Sequence, residues 1–181
     1  MLDKSQLEDA QLRAIEYFER VGIVLTEKEK QGMEVADFGL SDLENIGLEV
    51  IVYVNTDKVC AKELVMFPEQ TCPEHIHSTR NGVSGKEETF RCRWGKVYLY
   101  VSGEKTGDAR LKGLENYKEY LKVAHEIVLN PGEQYTLVPD TLHWFRAGEE
   151  GSVVSEFSTT STDDQDVFTD PRIMRLTKLA E

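Results

Sequence analysis

The sequence has few cysteines and no long apolar run, and each scarcity excludes a class of protein. Its three cysteines, Cys60, Cys72 and Cys92, are too few and too irregularly spaced for a disulfide framework, so a reducing cytoplasm is the expected compartment. No stretch approaches the roughly 20 apolar residues that span a bilayer. The acidic N-terminal segment also lacks the apolar core of a signal peptide.

Basic residues are scarce as well. The chain has 21 of them against 33 acidic residues, which gives a net charge of −12. Nucleic acid and anionic membranes repel a surface of that sign, so neither is expected as a partner. The remaining composition, with 40% hydrophobic and 30% charged residues over 181 positions, is typical of one globular domain with a sizeable core.

Two amphipathic segments begin the chain, and each starts with a capping-box pattern. The first pattern is Ser5-Gln6-Leu7-Glu8, followed by apolar residues at helical spacing as far as Gly22. The second, Thr26-Glu27-Lys28-Glu29, predicts a short helix through about Ala36. We expect both helices to support a core that the rest of the chain forms.

The middle of the chain has the texture of β-structure. Eight short runs rich in Val, Tyr, Phe and Thr are separated by Gly, Pro, Asn and Asp, and they cover residues 49–56, 59–67, 88–94, 96–103, 125–130, 134–139, 143–147 and 153–160. Such a series predicts a small antiparallel barrel or sandwich. The polar segment 104–120 is interpreted as a long loop.

We therefore predict one mainly β domain over residues 1–181. An N-terminal helical support at 1–47 is followed by a β-barrel at about 48–160. The polar tail at 161–181 is expected to include a short helix.

Two of the four histidines lie one residue apart in the stretch Pro73-Glu74-His75-Ile76-His77. Alternation along a strand directs His75 and His77 to the same face, about 7 Å apart. This arrangement suits the beginning of a metal site, although two exposed strand histidines have the same pattern. Further ligands must converge on the pair for the metal interpretation to hold.

A carboxylate on an apolar strand face is the first such ligand. Glu88 alternates with Phe90, Cys92 and Trp94, and that apolar face must be the buried one. Burying a carboxylate among such side chains costs free energy unless a cation or a hydrogen-bond donor meets it. Glu88 is therefore a candidate ligand, and its neighbour Glu87 is expected to face solvent.

A third histidine, His143, follows the turn at Pro139-Asp140. Three imidazoles and one carboxylate on separate strands form a mixed nitrogen and oxygen set that suits a divalent transition ion. They belong to His75, His77, Glu88 and His143. A six-coordinate ion would keep positions open for water or a substrate. The order of metal affinities does not distinguish among manganese, cobalt, iron, nickel and zinc at such a site.

These residues resemble the two metal motifs of the cupin superfamily. The first motif is similar to His75-Ile76-His77 followed by Glu88, with Gly95 seven positions further on; the second is similar to Pro131-Gly132 followed by Pro139 and His143. Two features depart from the general pattern. Ten residues separate His77 from Glu88, which is longer than usual, and the stretch PDTLH is one residue tighter and lacks a glycine.

A narrower resemblance covers roughly residues 60 to 175. Three stretches of the chain resemble the cupin-type D-lyxose isomerases, in which the long gap before the glutamate is also found. The stretches are AKELVMFPEQTCPEHIHSTRNGVSGKEETFRCRWGKVYLYVSGE, PGEQYTLVPDTLHWF and SEFSTTSTDDQDVFTDPRIMR. The resemblance implies a double-stranded β-helix, or jelly-roll, fold. It also implies conversion of D-lyxose to D-xylulose, a weaker conversion of D-mannose to D-fructose, a manganese-like ion and a homodimer.

Aldose–ketose isomerisation needs a general base that carries a proton between two carbons. Glu156 is the preferred candidate because it shares a strand face with Val154 and Ser158. A solvent-facing strand glutamate is an equally good interpretation of the residues alone. The isomerase resemblance favours the catalytic role.

Lys62 is the second catalytic candidate. It shares a face with Cys60, Leu64 and Met66, and a lysine directed into a barrel could hold the sugar oxygen at which charge develops. Burial can also lower the pKa of a lysine toward neutrality. The opposite strand face is equally apolar, so a lysine at the edge that reaches solvent remains an alternative.

Other polar residues are weaker candidates. His125 is expected to be a structural or surface histidine, and the acidic run 163–166 to be a solvated helix start and no calcium loop. The resemblance brings the tail near the site, which makes Asp166 and Arg172 secondary candidates for substrate contact. One of Trp144 and Phe145 is expected to line the pocket while the other packs.

Two further functions compete with a sugar isomerase. Three histidines and a glutamate with open positions also suit an Fe(II)-dependent dioxygenase. The third possibility is a non-catalytic sugar-binding cupin that keeps its metal as a structural element. An inward acid–base pair such as Glu156 and Lys62 suits proton transfer and is not needed for oxygen chemistry.

Overall fold

The computed structural model describes residues 2–177. Two helices come first: α1 (Lys4–Arg20) and α2 (Glu27–Gln31). The strands are β1 (Glu34–Ala36), β2 (Leu48–Asn55), β3 (Cys60–Met66), β4 (Thr71–Ile76), β5 (Glu88–Val101), β6 (His125–Leu129), β7 (Gln134–Leu137), β8 (His143–Ser158) and β9 (Val167–Phe168). Within the described residues no helix is long and apolar enough to cross a membrane.

Both helices begin at capping boxes, but the first box differs from the predicted one. The side chain of Asp3 accepts from the backbone N–H of Gln6, and the Gln6 side chain accepts from the Asp3 N–H, so the box starts at Asp3 and the assignment to Ser5 was wrong. The Thr26 box is confirmed. Helix α2 ends at Gln31, earlier than predicted, because Glu34–Ala36 pair with β2 as β1.

Strand β8 is the centre of the sheet. One edge of β8 pairs with β3 and then with β4, and the other edge pairs along its length with β5. Strands β2 and β1 extend the sheet from β3, β6 and β7 pair with β5, and β9 pairs with β4. All of these pairs are antiparallel. The mainly β fold predicted for the sequence is confirmed.

The sheet curls around one buried core and carries a second apolar layer outside. On β3, Leu64 and Met66 belong to the inner core, and Val65 belongs to the outer layer. Helix α1 covers that outer layer with Ala14 and Phe18. The strand alternation therefore directs the side chain of Lys62, on the face of Leu64, toward the interior.

A bulge in β5 changes one predicted face. The pairing of β5 with β8 shifts between Cys92 and Trp94, so Trp94 lies opposite Val153 in the outer layer and packs edge-on against Tyr17, with ring centroids 5.6 Å apart. The prediction that Trp94 shares the face of Glu88 was wrong for this reason. Gly95 follows at φ 74°, where an added Cβ would lie 2.1 Å from the Gly151 carbonyl oxygen.

The flanking segments contribute strands as well as helices. β1 lies in the predicted N-terminal support and β9 in the predicted tail, so the sheet extends beyond 48–160 at both ends. The described part of the tail has one 3-10 turn, Asp163–Gln165, and no α-helix. Residues 178–181 lie outside the described region. The single-domain division remains a prediction.

Candidate metal centre

The four predicted ligands converge inside the curled sheet. His75 and His143 are register partners on β4 and β8, His77 follows β4, and Glu88 begins β5. One ligand atom from each residue lies within 4.8 Å of the others, and all four residues are buried. Such a cluster could hold a divalent metal ion, as the sequence predicts.

The backbone fixes the orientation of two of the rings. His75 Nδ1 lies 2.8 Å from the Pro73 carbonyl oxygen, and His143 Nδ1 lies 2.9 Å from the Thr141 carbonyl oxygen. A carbonyl only accepts, so each Nδ1 donates and each Nε2 keeps a lone pair. These lone pairs face the cluster, as in metal-binding histidines.

The surroundings of the Nε2 atom of His143 show whether a cation fits in the cluster. It is buried, lies 3.1 Å from Glu88 Oε1, and makes no hydrogen bond to any described residue. A lone pair facing a carboxylate in a buried site is unfavourable unless a cation lies between them. The donor set and this unpaired nitrogen therefore fit a divalent ion.

The third ring is held by carboxylates on both sides. His77 Nδ1 lies 2.5 Å from Asp166 Oδ1, and Nε2 lies 3.1 Å from Glu88 Oε1. Burial lowers the pKa of His77, but Glu88 and Asp166 outweigh it and raise this pKa to about 9. Burial and the two neighbouring imidazoles hold the pKa of His75 well below its usual range. The two carboxylates thus favour positive charge near His77, from a proton or from a metal ion.

Two cavities adjoin the cluster. The inner one, about 30 Å³, is lined by aromatic side chains and by the charged groups of the site, and it has room for an ion or a water but not for a sugar. The outer cleft, about 880 Å³, lies between residues 78–87 and 159–166. Both cavities share His77, Lys86 and Asp166, so the cleft leads to the cluster.

The two aromatic residues at the start of β8 divide their roles as predicted. Phe145 lines the inner cavity. Trp144 stacks on Tyr100, with ring centroids 3.9 Å apart, and donates a hydrogen bond from Nε1 to the Val123 carbonyl oxygen. Trp144 therefore packs in the core.

The two predicted catalytic residues are neighbours. Glu156 and Lys62 are register partners on β8 and β3, and Lys62 Nζ lies 3.4 Å from Glu156 Oε1. Both side chains are buried. Burial lowers the pKa of Lys62, but Glu156 and Asp163 outweigh it, and the pKa is raised overall. Burial therefore does not bring the pKa of Lys62 toward neutrality, because these carboxylates stabilise its charge.

A second lysine, Lys86, was missed by the sequence reasoning. Its Nζ lies 2.7 Å from Glu88 Oε2 and 3.1 Å from Glu156 Oε1, so it connects a candidate metal ligand to the candidate base. Burial lowers its pKa, but Glu156, Glu88 and Asp163 raise it well above the usual range. The signal was present, because Lys86 stands two residues before Glu88, and extending the alternation of β5 backward places both on one face.

The acidic run was also misjudged. Asp163 and Asp166 turn inward, toward the two lysines and His77 respectively, so the prediction of a solvated helix start was wrong for them. Asp166 lies in the site. Arg172 instead pairs with Asp170 at 2.6 Å and lies 4.8 Å from the Tyr120 ring centroid. His125 bonds through Nδ1 to the Glu104 carbonyl oxygen at the surface, as predicted.

Known proteins are similar to this chain in sequence or in fold. The chain is 58% identical over its full length to the full-length D-lyxose/D-mannose isomerase of Thermosediminibacter oceani. It is 54% identical to a D-lyxose ketol-isomerase of a Thermofilum species, with 99% of each chain covered. The L-ribose isomerase of Cellulomonas parahominis has the same fold, with a TM-score of 0.77, 14% identity, and coverage of 95% of this chain and 94% of that one.

The family assignment rests on an extended match. The sequence pattern of the D-lyxose isomerase family matches residues 19–181, which include every candidate site residue. The chain therefore belongs to the D-lyxose isomerase family.

Proposed function

We propose that the chain is a metal-dependent aldose–ketose isomerase that converts D-lyxose to D-xylulose, and more weakly D-mannose to D-fructose. The main observation is that Lys86 contacts both the buried carboxylate of Glu156 and Glu88, which belongs to the cluster of three histidines and a glutamate. Membership of the D-lyxose isomerase family supports the choice of substrate. An aldose–ketose reaction needs both of these features, a Lewis acid and a base.

The residues His75, His77, Glu88 and His143 would hold the ion, and we propose manganese. A divalent cation there supplies a Lewis acid that polarises the carbonyl and neighbouring hydroxyl of the sugar. Asp166 fixes the ring of His77 by a hydrogen bond, which is the usual partner arrangement for a ligating histidine.

Glu156 is proposed as the base that removes the proton from C2 and returns it to C1. Lys86 is proposed to stabilise the sugar oxygen that gains charge through its positive charge, because it lines both the inner cavity and the outer cleft while its N–H groups contact Glu88, Glu156 and Asp163. Lys62 is not among the described residues that line the inner cavity. We therefore propose that Lys62 orients Glu156 through its contact with Oε1.

The test is ketose formation from D-lyxose by chelator-stripped protein, with and without added Mn²⁺, in the chain and in His77→Ala. We expect turnover that requires the metal and is lost in the variant. Tight metal binding without conversion of any pentose or hexose would overturn the isomerase proposal. In that case, oxygen uptake with Fe(II) would separate a dioxygenase from a binding protein.

We also propose a homodimer formed through an uncovered part of the outer sheet face. Val54, Ala61 and Phe157 are consecutive register partners on β2, β3 and β8, and Val54 and Phe157 are 39% and 51% exposed. Contiguous exposed apolar residues often mark protein interfaces. Sedimentation should give a dimer for the chain and a monomer for Phe157→Lys, and an unchanged mass would refute this interface.

The three free, buried cysteines support a reducing cytoplasm.

A further inference from the structure

Three buried charged side chains and the half-buried Asp163 form a closed ring next to the candidate metal ligands. Lys62 Nζ lies 3.4 Å from Glu156 Oε1, and Lys86 Nζ lies 3.1 Å from the same oxygen. On the other side, Asp163 Oδ2 lies 2.5 Å from Lys62 Nζ, and Asp163 Oδ1 lies 3.1 Å from Lys86 Nζ. Cations and anions alternate around this charge ring, so each ammonium group contacts both carboxylates.

The members of the charge ring come from four separate parts of the chain. Lys62 lies on β3, Glu156 on β8 and Lys86 just before β5, whereas Asp163 belongs to the 3-10 turn after β8. Two ammonium groups this close repel each other, and the carboxylates between them offset the repulsion. Glu156 contacts both lysines through a single oxygen. Asp163 instead contacts each lysine through a different oxygen and so bridges them.

Asp163 is itself held firmly. Its Oδ1 accepts a hydrogen bond from Ser161 Oγ at 2.6 Å, and Arg175 lies 3.5 Å from Oδ2. Both of its oxygens are therefore occupied, which leaves none for a sugar proton. Its contribution must pass through the lysines that it contacts.

The contacts of Glu156 show what the lysines do. Lys62, Lys86 and Ser158 all approach the same oxygen, Oε1. The carboxylate is thus held by one oxygen, and the other oxygen is available to a substrate. A base must be oriented within fractions of an ångström of its proton for efficient transfer.

We propose that Asp163 is a positioning residue for the isomerisation. It spaces Lys62 and Lys86 so that the two ammonium groups hold Oε1 of Glu156 and leave Oε2 directed at the sugar. This inference rests on the proposed function, because that function makes Glu156 the base. A purely structural Asp163 would support folding without any specific effect on turnover.

The test compares Asp163→Asn with Asp164→Asn in the metal-loaded, full-length chain. Asp164 is the exposed neighbour, so its variant controls for the change of charge and amide. We expect Asp163→Asn to lower kcat for D-lyxose by roughly 10- to 100-fold while KM changes by less than about threefold. Asp164→Asn should match the unmodified chain. A kcat within about twofold for Asp163→Asn, or a loss confined to KM, would overturn the inference.

A double-variant cycle tests whether Asp163 acts through the lysines. Lys62→Met with Asp163→Asn removes one cation and one anion together, so the charge balance of the site is kept. If Asp163 acts through the lysines, the effects of the two substitutions on kcat are not additive. A double variant whose loss of kcat equals the product of the single losses would contradict the inference.

Buried ammonium groups give a readout that does not depend on turnover. The chain should show slowly exchanging ¹H–¹⁵N signals for Lys62 and Lys86, and Asp163→Asn should lose or shift both while Asp164→Asn keeps them. Retention of both signals in Asp163→Asn overturns the inference. Signals that behave as expected in a chain that makes no ketose overturn the proposed function instead, so the two failures are distinguishable.

Discussion

Two buried glutamates in different regions of the molecule behave in opposite ways. Glu88, inside the curled sheet, is 1% exposed, and Glu49, in the layer beneath α1, is 0% exposed. Burial alone raises the pKa of both carboxyls. Around Glu88, Lys86 and His77 reverse that effect and hold the pKa well below its usual range. Around Glu49 the pKa is raised to about 8.

The difference lies in the partners. Glu88 Oε2 lies 2.7 Å from Lys86 Nζ, and its Oε1 lies 3.1 Å from two imidazole nitrogens. Glu49 accepts one hydrogen bond from Gln70 at 3.3 Å, and its Oε2 has no hydrogen-bond partner among the described residues. A buried carboxyl is therefore an anion only where the fold brings cations to it. That requirement separates the candidate centre from the supporting layer.

The same substitution in the two regions should give the largest contrast. Glu88→Gln removes a metal ligand and leaves Lys86 without that carboxylate. Ketose formation from D-lyxose should fall by more than ~100-fold, because losing even a partner of a metal ligand costs about 10- to 100-fold. Glu49→Gln, the matched control, should keep its metal and its turnover. Metal content after dialysis, measured beside turnover, checks both; normal metal binding by Glu88→Gln would break the comparison.

Removing the cation beside Glu88 should have an intermediate effect. Lys86→Met keeps most of the side-chain volume but deletes the ammonium group that contacts Glu88 and Glu156. We expect kcat to fall by about 100-fold, because the cation that stabilises the developing negative charge is lost. The exposed Lys96→Met is the control. Equal kcat values for the two variants would show that the charge of Lys86 is not used.

The smallest effect concerns the pH dependence of stability. The pKa of Glu49 is higher in the folded chain, so the folded state holds a proton that the unfolded state releases as the pH rises above about 4.5. Stability from this group is present below that pH and is lost as the pH rises to about 8, by at most about 1.4 kcal/mol per pH unit.

Urea unfolding at several pH values measures this loss. Glu49→Gln cannot ionise, so its unfolding free energy should decline less between pH 5 and 8 than that of the unmodified chain. Identical slopes for the two proteins would mean that Glu49 is ionised in the folded state, and the comparison with Glu88 would fail.

Much of the centre was predictable from local patterns. Period-two alternation placed His75 beside His77 and Glu88 on the buried face, and it placed Glu156 on the same face as Val154. These inferences succeeded because each depends on one strand and on the cost of burying a charge. The eight predicted runs likewise correspond to six strands, with two runs joined in β5 and two in β8.

The remainder depends on contacts between distant parts of the chain. Asp163 was interpreted as solvated because nothing near it in sequence shows that Lys62, about 100 residues earlier, lies 2.5 Å away. The face of Trp94 was mispredicted because a bulge shifts the strand register. The pairing of β9 with β4 over only two residues leaves no periodic signal. Tertiary packing alone fixes these features.

The role of Glu156 as the base is tested by proton exchange at C2 of D-lyxose in D₂O, comparing the Mn²⁺-loaded chain with Glu156→Gln. We expect the chain to form ketose with solvent deuterium incorporated. Glu156→Gln should bind as much metal but lose both exchange and turnover by about 10²- to 10⁴-fold, the usual contribution of a general base. Ketose formation and exchange at normal rates in Glu156→Gln would show that Glu156 is not the base.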